Sequence, residues 1–197
     1  MIHWLDTLNE LKNPREDQYD DGCLLKRDDW PTDFQLFLDT INGCDFEEEQ
    51  ALEVSIPIPW NASPSIRNTL STIYGQKNGC DQTLRGWLTV TDISFPMDVI
   101  PIAKFADSSL VAISMRKKDY GSVYYWDWYH DYPWRGDFFQ LRLEKVAEKF
   151  PMYDEILDDE SHPQYQDISD AANEAFMIKL ADSFEEFVSM IQVDDTA

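Results

Sequence analysis

Apolar side chains recur at helical spacing in the first third of the chain, which predicts three helices there. The first contains Trp4, Leu8 and Leu11. The second begins at Pro31 and ends at Asn42-Gly43, because proline fits the first turn of a helix and glycine fits its C-terminal end. Its apolar face consists of Phe34, Phe37, Leu38 and Ile41. A third helix is predicted from Ser63 to Gly75, with Ile66, Leu70 and Ile73 on one side.

From Trp87 onward the pattern changes to short apolar or alternating runs, rich in valine, isoleucine and aromatic residues, which predict strands. These runs are 99–103, 109–115 and 122–128. The last two are separated by the polar residues 116–121, so we expect them to pair as an antiparallel hairpin.

After the strands the apolar spacing becomes helical again, over residues 141–150 and then over 182–192. The acidic segment between them, 154–170, is expected to be partly irregular. In the closing helix, Asp182 is the predicted cap, and Glu185 follows three residues later as in a capping box. Its apolar face consists of Phe184, Phe187, Val188 and Ile191. Helices at both ends of an antiparallel-rich sheet predict an α+β fold, with residues 1–197 in one domain.

The charge changes this picture, because the acidic excess lies entirely at the two ends. The 197 residues include 38 acidic and 16 basic ones, a net charge of −22. Residues 1–50 hold 14 acidic and 4 basic residues, residues 151–197 hold 13 and 1, and residues 51–150 hold 11 of each. Such a chain repels nucleic acid and anionic membranes and attracts basic partners. The two ends form either separate solvated helical faces or one shared negative surface.

The cysteine residues and the N-terminal sequence indicate in which cellular compartment the protein is expected. Cys23, Cys44 and Cys80 are odd in number and have no CxxC spacing, so neither a disulfide framework nor a zinc site is indicated. The first residues lack the basic segment of a signal peptide, and the longest uncharged stretch, 54–66, contains three prolines. We therefore expect a cytoplasmic protein.

No catalytic, cofactor or metal site is predicted. Asp127 lies among aromatic residues, where a carboxyl group can become a general acid, but no second activated group accompanies it. His3, His130 and His162 have no metal-ligand spacing, and no glycine-rich phosphate loop is present. We expect a protein that is not an enzyme.

The aromatic residues of 120–134 are either covered by the segment that follows or exposed as an interface patch.

Several segments, taken together, resemble the SUKH superfamily of Smi/Knr-type domains. Residues 30–43 read WPTDFQLFLDTING and resemble the family's opening helix, LPxxYxxFLxxxNG. Residues 99–103 (VIPIA) and 121–127 (GSVYYWD) resemble its strand hairpin, and residues 181–187 (ADSFEEF) resemble its closing helix. The order and spacing agree as well. The chain departs from the family pattern in having Trp30 in place of leucine, Asp107-Ser108-Ser109 in place of Gly-Asn or Gly-Asp, and a longer segment at about 129–180, which we treat as an elaboration.

The resemblance implies a binding domain without a cofactor. Bacterial members of the family are mostly immunity proteins, which neutralise toxins, often nucleases, that are encoded beside them. Fungal relatives resemble regulatory scaffolds. We therefore predict an immunity protein whose acidic surface binds a basic cognate toxin domain, with a non-catalytic scaffold of the Smi/Knr type as the alternative. The candidate partner-binding residues are Glu47, Glu48, Glu49, Asp154, Asp158, Asp159 and Glu160.

Overall fold

The computed structural model describes residues 4–6, 8, 29–41, 43–46, 52–57, 65–75, 98–126 and 142–193. The strands are β1 Cys44–Asp45, β2 Leu52–Pro57, β3 Ser65–Ile73, β4 Val99–Phe105, β5 Leu110–Ser114, β6 Val123–Trp126, β7 Met177–Ala181 and β8 Gln192–Val193. The helices are α1 Thr32–Thr40, α2 142–149, α3 Tyr153–Leu157, α4 Tyr165–Ala175 and α5 Phe184–Ser189. Residues 4–6 and 8 are also helical.

The described strands form one antiparallel sheet in the order β7-β6-β5-β4-β3-β2-β8. The two-residue strand β1 pairs with the end of β3, on the edge opposite β4. Strands β2 and β7 approach each other although they are far apart in this order, so the sheet curls towards a barrel. The prediction of a mixed α and β fold with an antiparallel-rich sheet is confirmed.

The central strands are covered on both faces. Every residue of β5 is buried, and alternate side chains belong to two different apolar clusters, as the period of a strand requires. Val111 and Ile113 join the larger cluster, which includes the aromatic side chains of α1 and α5. Leu110 and Ala112 join a smaller cluster with Trp126. Together the clusters fix both faces of the β5–β6 hairpin.

Helix α1 and the β5–β6 hairpin match their predictions. In α1, Phe34, Phe37 and Leu38 are buried, and Gly43 follows with a positive φ of 101°. Strands β5 and β6 pair antiparallel from Leu110↔Trp126 to Ile113↔Val123. These elements carry strong local signals, namely apolar spacing bounded by proline and glycine, and a polar turn between apolar runs.

The predicted cap of the closing helix is wrong by one residue. Helix α5 spans Phe184–Ser189 rather than 182–192, and Ser183 is its N-cap. The Ser183 hydroxyl oxygen accepts a hydrogen bond from the Glu186 backbone N–H at 3.1 Å, and Glu186 Oε2 accepts one from the Asp182 N–H at 2.7 Å. The capping residues are therefore Ser183 and Glu186, because Ser183 has the extended backbone of an N-cap residue and its hydroxyl accepts from the first turn of the helix.

The third predicted helix is also wrong, because residues 65–73 form strand β3. Ile66, Leu70 and Ile73 fit helical spacing, but β-branched residues are frequent in the segment and favour a strand. Strand β3 pairs with β2 along one edge and with β4 along the other, and this pairing decides its conformation. Strands β1, β2, β7 and β8 were not predicted.

Within the acidic segment 154–170, only the turn 158–164 is irregular. It joins α3 to α4, and α2 precedes them where residues 141–150 predict a helix. In the segment 129–180, the structure describes residues 142–180, which form these three helices and most of β7. Because β7 pairs with β6, part of this segment belongs to the sheet itself.

Candidate functional site

The N-terminal and C-terminal parts of the chain meet through buried aromatic rings. The ring centroid of Phe184 in α5 lies 5.0 Å from that of Phe34 and 5.2 Å from that of Phe37, both in α1. It also lies 5.8 Å from the ring of Trp4, in an edge-on arrangement. All four side chains are buried. This packing brings described parts of the two acidic ends of the sequence together.

A groove of about 570 Å³ opens where α1 and α5 meet the hairpin tip, which we define as residues 116–121. Its apolar lining includes Trp4, Pro31 and Leu36. Its acidic lining consists of Asp33, Asp182 and Glu185. The remaining lining residues are Thr32, Tyr120, Gly121 and Ser183, so none of the described residues that line the groove is basic. We call this feature the acidic groove.

Asp33 connects the two helices at the acidic groove. Its Oδ2 accepts a hydrogen bond of 2.9 Å from the backbone N–H of Glu185, in the first turn of α5. Its Oδ1 accepts one of 2.9 Å from the N–H of Phe34. Both carboxylate oxygens therefore have fixed positions, while each keeps acceptor capacity for a further donor.

Tyr120 forms the wall on the side of the hairpin tip. Its side chain is 50% exposed, and its hydroxyl donates a hydrogen bond of 2.6 Å to the carbonyl oxygen of Asp29. Partial burial, and then the negative charges of Asp29 and Asp33, raise the pKa of Tyr120. The phenol ring therefore stands, in its neutral form, in a field of negative charge.

Asp182 differs from the other two acidic residues of the groove because it forms an ion pair with Lys179. Both side chains of this pair are largely exposed, so water screens their attraction. Asp182 therefore keeps most of its negative charge, and all three carboxylates contribute to the field in the groove.

Ion pairs hold the other side of the hairpin tip to helix α4. Arg116 pairs with Asp119 and with Glu174 of α4, and Lys118 Nζ lies 2.9 Å from the same Glu174 carboxylate. Asp119 also accepts hydrogen bonds from the hydroxyls of Ser114 at 2.6 Å and Tyr124 at 2.7 Å. The tip is thereby fixed between α4 and the acidic groove.

The charges in this network are stable at neutral pH. Burial acts to raise the pKa of Asp119, but hydrogen bonds from Arg116, Ser114 and Tyr124 outweigh it and lower that pKa below its usual value. Burial and the hydrogen bond to Asp119 raise the pKa of Tyr124 to about 12. The arrangement favours a fixed structural role over proton transfer.

Four of the seven acidic residues predicted as partner-binding are described by the structure, and they lie on a different surface. Asp154 is on α3, and Asp158, Asp159 and Glu160 are in the turn that follows; all four are exposed. Asp159 accepts hydrogen bonds from the N–H and hydroxyl of Ser161, at 3.0 and 2.6 Å, and these lower its pKa. With Glu155, also exposed, they form what we call the α3 acidic surface. None of them lines the acidic groove.

Other residues considered from the sequence are placed as follows. Cys44 is buried, and His162 Nδ1 accepts a hydrogen bond of 3.2 Å from the N–H of Gln164. Outside the described residues lie Glu47, Glu48, Glu49, Asp127, His3, His130, Cys23 and Cys80. Among the residues the structure does describe, no group of three or more histidine, cysteine, aspartate or glutamate side chains is arranged to hold a metal ion.

The acidic groove itself was not predicted. Asp33 and Glu185 are 152 residues apart, and neither belongs to a motif that links them. Tyr120 was noted only as one of many aromatic residues near the hairpin. Its proximity to Asp33 follows from the packing of α1, α5 and the tip, which the local pattern does not contain.

Comparisons with protein-family models, with curated proteins and with solved structures found no match for this chain. In the described part of the chain, no helix combines the length and the apolar character needed to cross a membrane.

Proposed function

We propose that this protein is an immunity protein of the SUKH type, which binds a basic bacterial toxin domain in the cytoplasm and neutralises it. We propose further that the toxin is a nuclease. The observation that carries the proposal is the α3 acidic surface, where five exposed acidic side chains occur within residues 154–160. The resemblance of residues 30–43, 99–103, 121–127 and 181–187 to that family gives independent support.

The proposed mechanism is electrostatic competition with the nucleic acid substrate. A nuclease must present lysine and arginine side chains to the phosphate backbone, so an acidic protein surface is attracted to the same cleft. No lysine or arginine occurs between Lys149 and Lys179, so His162 is the one basic side chain in the sequence around the α3 acidic surface. The five acidic residues of this surface lie within seven positions of the sequence, 154–160, so their fields add.

The test uses the toxin domain encoded beside the gene for this protein. Cells that express that domain should survive when this protein is co-expressed, and purified protein should inhibit the domain's nuclease activity. Death of the co-expressing cells would refute the proposal. Binding without inhibition would instead support the non-catalytic scaffold.

Paired variants test whether the α3 acidic surface is responsible. The double variant Asp158→Asn/Asp159→Asn should slow association by about tenfold, because it removes two charges from the surface that steers the encounter. Asparagine keeps an oxygen that can accept the hydrogen bonds from Ser161. The control, Glu144→Gln/Glu148→Gln, changes the net charge equally on the exposed side of α2. If both variants slow association to the same extent, total charge rather than this surface is responsible.

A further inference from the structure

We infer that the acidic groove receives one arginine side chain of the protein partner, which anchors a complex that the α3 acidic surface steers. The inference deepens the proposed function and takes from it the expectation of a basic protein partner. The choice of an arginine side chain as the ligand is argued from the shape and the charge of the groove.

The groove suits a long side chain with an apolar stem. Its volume of about 570 Å³ is large enough for such a side chain, and Trp4, Pro31 and Leu36 provide apolar surface within it. Arginine and lysine bury their methylene groups on apolar surface while the charged end remains near polar groups. A short acidic or purely polar side chain leaves this surface in contact with water.

Charge complementarity selects a cation. Asp33 and Glu185 face the groove, and none of the described lining residues is basic. The Asp33 carboxylate is held by N–H groups of Phe34 and Glu185 at 2.9 Å, so binding a cation requires little further ordering of this side chain. Lys179, which pairs with Asp182, is outside the lining and leaves the other two carboxylates available to the groove.

Tyr120 favours arginine over lysine. Its ring is half exposed at the groove wall, and the hydrogen bond of its hydroxyl to Asp29 fixes the ring's orientation. A guanidinium group stacks on an aromatic face and donates to carboxylates in the same plane, whereas an ammonium group offers only a point charge. The combination of an aromatic wall with two carboxylates therefore matches arginine best.

The groove is also rigid on both sides. The aromatic packing around Phe184 holds α1 to α5, and the ion pairs of Glu174 with Arg116 and Lys118 hold the hairpin tip to α4. A site whose walls are already fixed loses little conformational entropy when an anchor enters it. Anchors of this kind, which are often arginine, set the dissociation rate of a complex.

The first experiment tests the groove without any toxin. The capped peptide Gly-Gly-Arg-Gly-Gly is titrated into the protein, and backbone amide shifts are followed by NMR. We expect saturable shifts at Asp33, Tyr120 and Glu185. The matched peptide with citrulline, which has the same shape without the charge, should produce no saturable shift. Equal shifts with both peptides, or none with arginine, would overturn the inference.

Two variants locate the binding in the groove. Tyr120→Ala removes the stacking wall, and Glu185→Gln removes one charge while it keeps the backbone N–H that binds Asp33. Each should weaken binding of the arginine peptide about fivefold or more. Met152→Ala is the control, because Met152 is also a large exposed side chain, at 57%, and is not part of the groove lining. It should bind the peptide as the wild type does.

The toxin complex separates failure of the inference from failure of the proposed function. In that complex Tyr120→Ala should speed dissociation about tenfold and leave the association rate within about twofold. If the peptide binds in the groove but the toxin is not neutralised, the proposed function fails and the groove stands as an arginine site. If the toxin is neutralised and Tyr120→Ala and Glu185→Gln dissociate as the wild type does, the inference fails and the proposed function stands.

Discussion

Gly43 and Gly121 both have positive φ angles, but their surroundings differ. Gly43, after α1, has a φ of 101°, and a Cβ placed there would lie 2.8 Å from the backbone nitrogen of Gly75. Gly121, in the hairpin tip, has a φ of 84°, and among the described residues a Cβ there would meet only the Pro31 side chain, at 3.7 Å. The first position therefore excludes a side chain by both conformation and space, and the second by conformation alone.

Alanine substitution should distinguish the two glycines. Gly121→Ala should cost about 1–2 kcal/mol of unfolding free energy, the usual strain of an L residue with this backbone. Gly43→Ala should cost more, by roughly 1 kcal/mol or above, because backbone atoms must also move. Urea denaturation of the two variants measures the difference. Equal losses would contradict the close approach of Gly43 to Gly75.

Phe184 is a buried ring that packs α5 against both α1 and Trp4. Phe184→Ala should lower the free energy of unfolding by about 3–5 kcal/mol, since a fully buried ring that contacts four other described rings is lost. Met152→Ala, at an exposed position, should change it by less than about 0.5 kcal/mol. A denaturation midpoint for Phe184→Ala equal to that of the wild type would refute the packing described here.

At the scale of elements, the β5–β6 hairpin is anchored to α4 by charge. Asp119 accepts hydrogen bonds from Arg116, Ser114 and Tyr124, and Arg116 continues the network to Glu174. Since the folded-state pKa of Asp119 lies below its usual value, ionised Asp119 stabilises the fold above that usual value. This contribution is lost as the pH falls through the lowered pKa.

Asp119→Asn should therefore change how the free energy of unfolding depends on pH in the acidic range. At neutral pH the variant should lose about 1–3 kcal/mol, the range for hydrogen bonds to a charged group. Below about pH 4, near the usual carboxyl pKa, wild type and variant should converge. Asp98→Asn, at an exposed turn position, serves as the control and should change stability by less than about 0.5 kcal/mol. A constant difference between Asp119→Asn and wild type down to pH 2 would contradict the network.

The elements that could be predicted are those whose signals are local. Helix α1, helix α5 and the β5–β6 hairpin each have apolar periodicity together with a recognisable start, stop or turn. Strand β3 could not be predicted in this way, because its residues fit helical spacing and only its pairing with other strands decides its conformation. The sequence also could not distinguish Asp182 from Ser183 as the cap of α5, since both residue types cap helices, and the structure shows the capping hydrogen bond at Ser183.

The two candidate sites also differ in whether the local sequence could predict them. The α3 acidic surface could be predicted as a run of acidic residues, because consecutive exposed positions need no tertiary information. The acidic groove depends on the contact of Asp33 with the Glu185 N–H, across 152 residues, and on the position of the hairpin tip. Neither relation appears in the local pattern of either segment.

For the whole molecule, the arrangement of charge matters more than its amount. Residues 1–50 and 151–197 carry the entire acidic excess, and Asp33 from the first segment and Glu185 from the second line one groove. The α3 acidic surface adds a second negative region, contributed by the C-terminal segment alone. In the proposed complex the α3 acidic surface accelerates the encounter, and the acidic groove slows the release.

The most direct test of this account is the association rate with the proposed partner, a basic toxin domain encoded beside the gene, measured by stopped-flow fluorescence at low and high salt. We predict that the rate falls by about tenfold or more as the ionic strength rises from roughly 0.02 M to 0.5 M, because salt screens the attraction between exposed charges. We also predict that Asp158→Asn/Asp159→Asn flattens this dependence, whereas Glu144→Gln/Glu148→Gln leaves it unchanged. An association rate that does not depend on salt would contradict the electrostatic account.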